Sequence, residues 1–201
     1  MKVMGIDPGT CEAGFGVIEA DGSTLRCVAS GTIRSPKTKP VAERLLAIHE
    51  GLARVIEDHR PDAVAIEDAF VGVNVQSALR IGEARAAAIL AAAARGLEVA
   101  GYEPRLVKRA VAGRGGASKE QVAGMVRTVL GLEADPPSEH AADALAVAVC
   151  HAVRISEGSS GASGYVAESL KAAGYGKRRR MKDEGKAWAD VLAKRNRKDR
   201  R

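Results

Sequence analysis

Two apolar runs of this sequence end in acid: KVMGID stops at Asp7, and AVAIED carries Glu67 and Asp68. A third acid, Asp143, stands with His140 at the head of the run HAADALAVAVC, spaced i, i+3 and so on one face of a helix. From Ala141 onward that helix is apolar nearly all round, which predicts burial. A carboxylate at the head of a buried helix needs a partner, because an unpaired buried charge is very costly. Asp7, Glu67 and Asp143 together make an oxygen-rich set suited to hard divalent cations such as Mg²⁺ or Mn²⁺, whose charge would relieve the mutual repulsion. Taken singly, each residue has a plainer reading: Asp7 in an Asx turn before Pro8-Gly9, Asp143 as a helix cap, His140 as a satisfied polar residue. The coincidence of three acids at compatible element ends favours a site.

The elements that must position these residues follow from hydrophobic period and turn chemistry. Residues 2–7, 14–20 and 24–33 read as strands separated by Pro8-Gly9 and Asp21-Gly22, an antiparallel meander. Residues 41–58 set Leu45, Ile48, Leu52, Val55 and Ile56 at helical spacing before Pro61. Residues 62–68 suit a strand buried on both faces. A long Ala-rich helix over about 75–95, a strand over 97–102, a helix from near Ser118 and a last one over about 137–153 complete the order βββαβαβαα, an α/β mixed sheet. If the strand ending at Glu67 crosses over through the helix at 41–58 to lie parallel beside the first, the two acids meet at one sheet edge, about 4.8 Å apart. Open α/β sheets bind their ligands there.

The chain's 201 residues allow one ordinary domain with an appendage. Three scattered cysteines (Cys11, Cys27, Cys150) suggest thiols rather than disulfides or a zinc site. The N-terminus has no signal-like apolar core, and the longest apolar run, 86–94, is far short of the ~20 residues a bilayer span needs. A soluble, cytoplasmic protein with no membrane association is expected. The net charge of +6 is unevenly spread: residues 154–201 hold 14 Lys and Arg against 6 Asp and Glu, whereas residues 1–153 hold 17 against 19. With the run GSSGASG from Gly158 as a flexible linker, the chain divides into a domain over 1–153 and a basic, flexible tail over 154–201.

Other features suit a polyanion. Residues 113–119, GRGGASK, form a glycine-rich entry to a helix, with Ser118 as N-cap, Gln121 completing a capping box, and Arg114 and Lys119 supplying charge. The loop lacks P-loop spacing. Phe70 is one of three aromatics in residues 1–153 and lies in a segment without helical period, although a lone Phe is usually core.

The blocks GIDPGT, GFGVIE, AIED with Phe70, SALRIGEARAAAI, VKRAVAGRGGASKEQVAGMVRTVLGL and HAADALAVAVCHA, in that order, resemble the bacterial RuvC family of Holliday junction resolvases, within the RNase H-like superfamily, over residues 2 to about 153. The resemblance implies an RNase H-like mixed five-stranded sheet flanked by helices. It implies a catalytic and metal-ligating quartet of Asp7, Glu67, His140 and Asp143 around two divalent cations per subunit, Mg²⁺ or Mn²⁺. In many relatives the position of His140 is an aspartate. On a two-metal scheme Asp7 bridges both cations, Asp143 and His140 complete the one that activates water, and Glu67 holds the one at the leaving 3′ oxygen. It implies DNA contacts through Lys108, Arg114 and Lys119, and a base-unstacking wedge at Phe70. It further implies a homodimer joined through the helix at 75–95, a four-way DNA junction as substrate, paired symmetric nicks in recombination and repair, and the RuvA–RuvB branch-migration complex as partner. Two alternatives stand beside it. An actin-like or sugar-kinase-like phosphotransferase shares the DPGT turn but needs a second domain, and a non-catalytic nucleic-acid binder gives no reason to gather three carboxylates.

Overall fold

A computed structural model describes residues 1–22, 24–68 and 75–160. Its elements are β1 (Lys2–Asp7), β2 (Glu12–Asp21), β3 (Thr24–Arg34), α1 (Val41–His59), β4 (Ala63–Glu67), α2 (Val75–Ala93), β5 (Val99–Tyr102), α3 (Pro104–Ala112), α4 (Lys119–Leu130) and α5 (Glu139–Ser160). The five strands form one sheet in the order β3-β2-β1-β4-β5. β1, β2 and β3 are the antiparallel meander expected from the turn residues, with Asp21 registered against Thr24 and Gly22 at a φ of 55° in the turn. β4 pairs parallel with β1, Ile6 against Ile66, and β5 pairs parallel with β4. This is the mixed five-stranded sheet of the sequence expectation.

Strand alternation splits the core in two. Met4, Ile6, Val17, Val64 and Ile66 pack with Ile48 and Leu52 of α1 and with the alanines of α2. Val3, Ile18, Ala65 and Tyr102 face the opposite way, against Val107 and Val111 of α3, Val126 of α4 and Leu145 and Val149 of α5. The alternation assigns Asp7, in phase with Val3, and Glu67, in phase with Ala65, to the face that α5 covers.

The small residues decide how closely α5 lies on that face. A side chain at Gly5 would collide with the backbone of Ala144 and Ala148, and one at Gly14 with the backbone of His140. With hydrogen at both positions the helix rests directly on β1 and β2.

Two features depart from the sequence expectation. Between Tyr102 and Ser118 lies a helix, α3, that the order βββαβαβαα omits; Pro104 begins it, where a missing N–H costs nothing, and Gly113 ends it in the left-handed conformation. α5 continues to Ser160, past residue 153 and over the first residues of the run GSSGASG. Residues 154–157 hold no proline and no capping glycine to stop it. Phe70 and residues 161–201, the bulk of the expected tail, lie outside the described residues. Among the described residues no helix is long and apolar enough to cross a membrane.

Candidate active site

The carboxyl ends of β1 and β4 and the head of α5 meet at one place. Register brings Ile6 and Ile66 side by side, so Asp7 and Glu67 leave the sheet as neighbours. Above them, His140 Nδ1 lies 2.7 Å from Asp7 Oδ2. Asp143, one turn further along α5, receives Lys119 Nζ at 3.5 Å from its Oδ2. The side chains of Asp7 and Asp143 are 17% and 29% exposed, sheltered yet open to a ligand.

The plainer readings fare differently: His140 is a satisfied polar residue as it stands, with Asp7 Oδ2 2.7 Å from Nδ1 and Glu12 Oε2 3.4 Å from Nε2. Asp7 is directed across the fold to His140. The head of α5 is capped by Ser138, whose Oγ accepts from Ala141 N at 3.0 Å and is itself tied to Thr32 Oγ1 at 2.5 Å. Asp143 is therefore not needed as a cap.

Electrostatics mark the cluster as short of positive charge. Burial, then the neighbouring charges of Asp7 and Asp143, push the Glu67 carboxyl up to about 7, although Lys119 and Lys108 pull it down. Burial also raises Asp143, against the opposing pull of Lys119. Lys119 is raised in turn, chiefly by Asp143. Among the described residues no three His, Cys, Asp or Glu side chains converge as a preassembled metal cage. Asp7 is instead turned to His140 and Asp143 to Lys119, arrangements that satisfy the carboxylates as the side chains stand.

The expected basic residues divide. Lys119 is at the first turn of α4, behind the Ser118 and Gln121 capping box expected from the sequence, and reaches Asp143 and, at 4.0 Å, Glu139. Lys108, on the unforeseen α3, is near enough to act on Glu67. Arg114 instead donates to Gln121 Oε1 at 2.6 Å and borders, with Glu120 and Arg127, a cavity of about 710 Å³ that contains none of the quartet.

Sequence reading missed Glu12 and Arg34. A second cavity, of about 760 Å³, opens beside His140 and is lined by Thr10, Cys11, Glu12, Arg34 and Lys37 among others. Glu12 Oε2 is 3.4 Å from His140 Nε2. The signal was available in the hairpin: pairing the Asp7 end of β1 with Gly14 carries Glu12 just beyond it.

The geometry agrees with what the chain is similar to. The model of the family described as crossover junction endodeoxyribonuclease RuvC matches residues 3–151. A crossover junction endodeoxyribonuclease RuvC of Chloroflexus aggregans is 50% identical over 152 residues, which are 76% of this chain and 93% of that protein. A protein of the same description from Rhodopseudomonas palustris is 49% identical over 152 residues, covering 76% and 87%. The solved structure of Thermus thermophilus RuvC in complex with Holliday junction substrate superimposes with a TM-score of 0.74 at 39% identity, covering 79% of this chain and 96% of that one. The phosphotransferase and the non-catalytic binder are thereby set aside. With its five-stranded mixed sheet, its acids at the shared edge of β1 and β4, and a family match over three quarters of its length, the chain belongs to the RuvC family of crossover junction endodeoxyribonucleases.

Proposed function

We propose that this chain resolves four-way DNA junctions by paired, symmetric phosphodiester hydrolysis, and that Asp7, Glu67, His140 and Asp143 hold the divalent cations that the reaction uses. The observation that carries this reading is the meeting of two parallel strand ends with the head of a buried helix, which gathers three carboxylates and an imidazole where a polyanion must approach. Such a concentration of negative charge opposes DNA unless cations balance it. The donor set fits: carboxylate oxygens suit Mg²⁺ and Mn²⁺, and the imidazole inclines the set toward Mn²⁺. Two bound cations supply Lewis-acid polarisation of the scissile phosphate and a hydroxide nucleophile near neutral pH.

The chain's own residues do the rest. His140 orients the Asp7 carboxylate from above the sheet. Lys119, 66% exposed beside Asp143, offers an ammonium to a non-bridging phosphate oxygen and adds positive charge as the leaving group departs. Lys108 lends its charge from α3. Phe70 acts as the wedge that unstacks bases at the crossover, Arg114 contacts the DNA backbone, and the basic residues of the expected tail, 154–201, of which 154–160 continue α5, touch phosphates without shape preference.

A junction has two-fold symmetry, so two matching sites call for a C₂ homodimer. On α2, Leu79 and Leu90 are 64% and 62% exposed, three helical turns apart on one stripe, with the exposed small residues Gly82 and Ala86 between them. That stripe suits close contact with its copy. The cytoplasm and the RuvA–RuvB complex complete this reading as its setting and partner.

The test is cleavage of a synthetic four-way junction by the purified chain with Mg²⁺ or Mn²⁺. Paired nicks at symmetric positions, absent with EDTA and much slower on linear duplex, are the expected result. Equal cutting of linear duplex would overturn junction selectivity, and cutting that persists in EDTA would overturn the cations.

A further inference from the structure

The strand ends along one edge of the sheet carry charges in a fixed order. From β3 through β2 and β1 to β4 that edge bears Arg34, Glu12, Asp7 and Glu67, because β2 starts where β1 and β3 end and β4 runs parallel to β1. Lys108, on the helix after β5, lies beyond Glu67 and acts on it. The acids are therefore flanked by cations on both sides. The cavity beside His140 is at the Arg34 end, and Thr10, Cys11, Glu12, Arg34, Ser35 and Lys37 are among its walls.

That wall is short of negative charge. Its one carboxylate, Glu12, accepts from Arg34 Nε at 3.1 Å, and the Arg34 side chain remains 66% exposed. Lys37 is exposed as well. Behind Cys11, Arg44 is only 7% exposed, and its guanidinium donates at 2.7 Å to the Cys11 sulfur rather than to a carboxylate. Arg44 Nε and Ser35 Oγ are both shut off from water without a hydrogen-bond partner among the described residues. A buried charge so poorly matched is costly, and an anion in the cavity would offset that cost.

We propose that this cavity is a second phosphate subsite, in which Arg34, Lys37 and the Thr10 hydroxyl hold a backbone phosphate of the strand being cut. β3 stands two strand spacings from β1, about 10 Å, which a strand carrying one phosphate per about 3.4 Å of axis crosses in about three nucleotides. The cut strand then follows the sheet edge, from Lys108 over the acids to Arg34. Arg34 offers the phosphate the donors of its planar fork that Glu12 does not take, Lys37 adds a point charge, and Arg44 acts through the wall by charge alone. The inference deepens the junction-cutting reading above and rests on it.

The experiment uses the full chain as wild type, the double variant Arg34→Ala/Lys37→Ala, Lys108→Ala and, as a control, Lys39→Ala, whose exposed side chain pairs with Glu43 at 3.3 Å. The cut position is located with Mg²⁺, and junction binding is then followed without divalent metal by fluorescence anisotropy at several salt concentrations. The double variant should lower the slope of log affinity against log salt by about 1.5, so that wild type loses about 8-fold more affinity than the variant between about 50 and 200 mM salt. Its melting temperature should stay near that of wild type, since an exposed ion pair contributes little. Uncharged methylphosphonates are next placed one at a time on both sides of the cut. One position should weaken wild type and Lys39→Ala several-fold and cost the double variant nothing more. The position to which Lys108→Ala is indifferent should lie across the cut from it. An unchanged slope, no such position, or both positions on one side of the cut would overturn the subsite. A wild type that cuts no junction sinks the reading on which the subsite rests, and the subsite with it; cutting with an unchanged slope sinks the subsite alone.

Discussion

Asp7 and His140 are 133 residues apart in the chain, yet Oδ2 of one lies 2.7 Å from Nδ1 of the other. The contact exists because β1 ends where α5 begins, and because Gly5 and Gly14 present no side chain to hold the two apart. An acid from β1 and a base from α5 are therefore in contact, with Glu67 and Asp143 near enough for their charges to be felt.

Removing one carboxylate at a time tests that convergence. Asp7→Asn, Glu67→Gln and Asp143→Asn should each lower junction cleavage by on the order of 10³-fold or more, the scale expected when several kcal/mol of transition-state stabilisation is lost. Junction binding without metal should persist and even tighten, since each change removes a negative charge that faces phosphate. Single-turnover cleavage and gel-shift titration on the same preparations separate the two effects. A variant that cuts at the wild-type rate does not belong to the quartet.

The raised Glu67 carboxyl carries a pH signature. Folding lifts it from an ordinary value of 4.5 to about 7, so between those limits the folded chain keeps a proton that the unfolded chain has lost. Stability of the metal-free protein should therefore be highest below about pH 4.5 as far as this group is concerned, fall as pH rises to about 7 and level off above, by up to about 3 kcal/mol. Glu67→Gln should flatten the fall, and Mg²⁺ should stabilise wild type more at pH 8 than at pH 5. Urea midpoints at the two pH values, with and without metal, measure both. A wild-type midpoint that does not fall between pH 5 and pH 8 would mean that the cluster carries no such strain.

The meander was legible from strand period and turn residues, the parallel pairing of β1 with β4 from the crossover rule applied to those elements, and Asp7, Glu67 and Asp143 stood out as candidates because each lies at an end of an apolar run. α3 was not. Only Val107 and Val111 of its nine residues are buried, and Pro104 reads as a break as readily as a beginning. Glu12 escaped because its role depends on which residue stands beside it in another strand and another helix, a matter of register that one strand does not encode. Gly5, Gly14 and Gly16 escaped for a different reason. A glycine within a strand suggests weakness or a bulge, whereas these three mark where α5 touches the sheet.

Gly14 offers a direct test of that contact. Gly14→Ala puts a methyl group into the backbone carbonyl of His140, and the head of α5 must move away from Asp7 to admit it. Overpacking of this kind costs about 1–3 kcal/mol. A displacement approaching 1 Å at a reacting centre costs roughly 10²-fold in rate. Cleavage should thus fall further than stability alone explains at a temperature where the variant is fully folded. Gly124→Ala, on the open surface of α4 with nothing near its added methyl, is the matched control and should be neutral or stabilising by up to about 1 kcal/mol. Equal behaviour of the two variants would mean that α5 tolerates displacement and that the close approach is not needed for cutting.

The stripe on α2 sets the last test. Leu79 and Leu90 expose apolar surface that a lone subunit has no use for, and placing a charge at either position should be tolerated by the monomer but not by a helix pressed against its copy. Leu79→Arg and Leu90→Glu should shift the sedimentation equilibrium toward monomer while circular dichroism and melting temperature stay close to wild type. The consequence for chemistry is specific. A dimer makes both nicks within one bound complex and converts a supercoiled cruciform plasmid directly to the linear form. A monomer makes one nick, relaxes the plasmid, loses the extruded junction, and leaves nicked circles. The ratio of linear to nicked product should therefore drop at least about 10-fold, the change that a loss of roughly 1.4 kcal/mol in pairing produces. A variant that remains dimeric with an unchanged product ratio would place the subunit contact elsewhere on the molecule. A monomer that still yields linear plasmid would remove the need for two coupled sites.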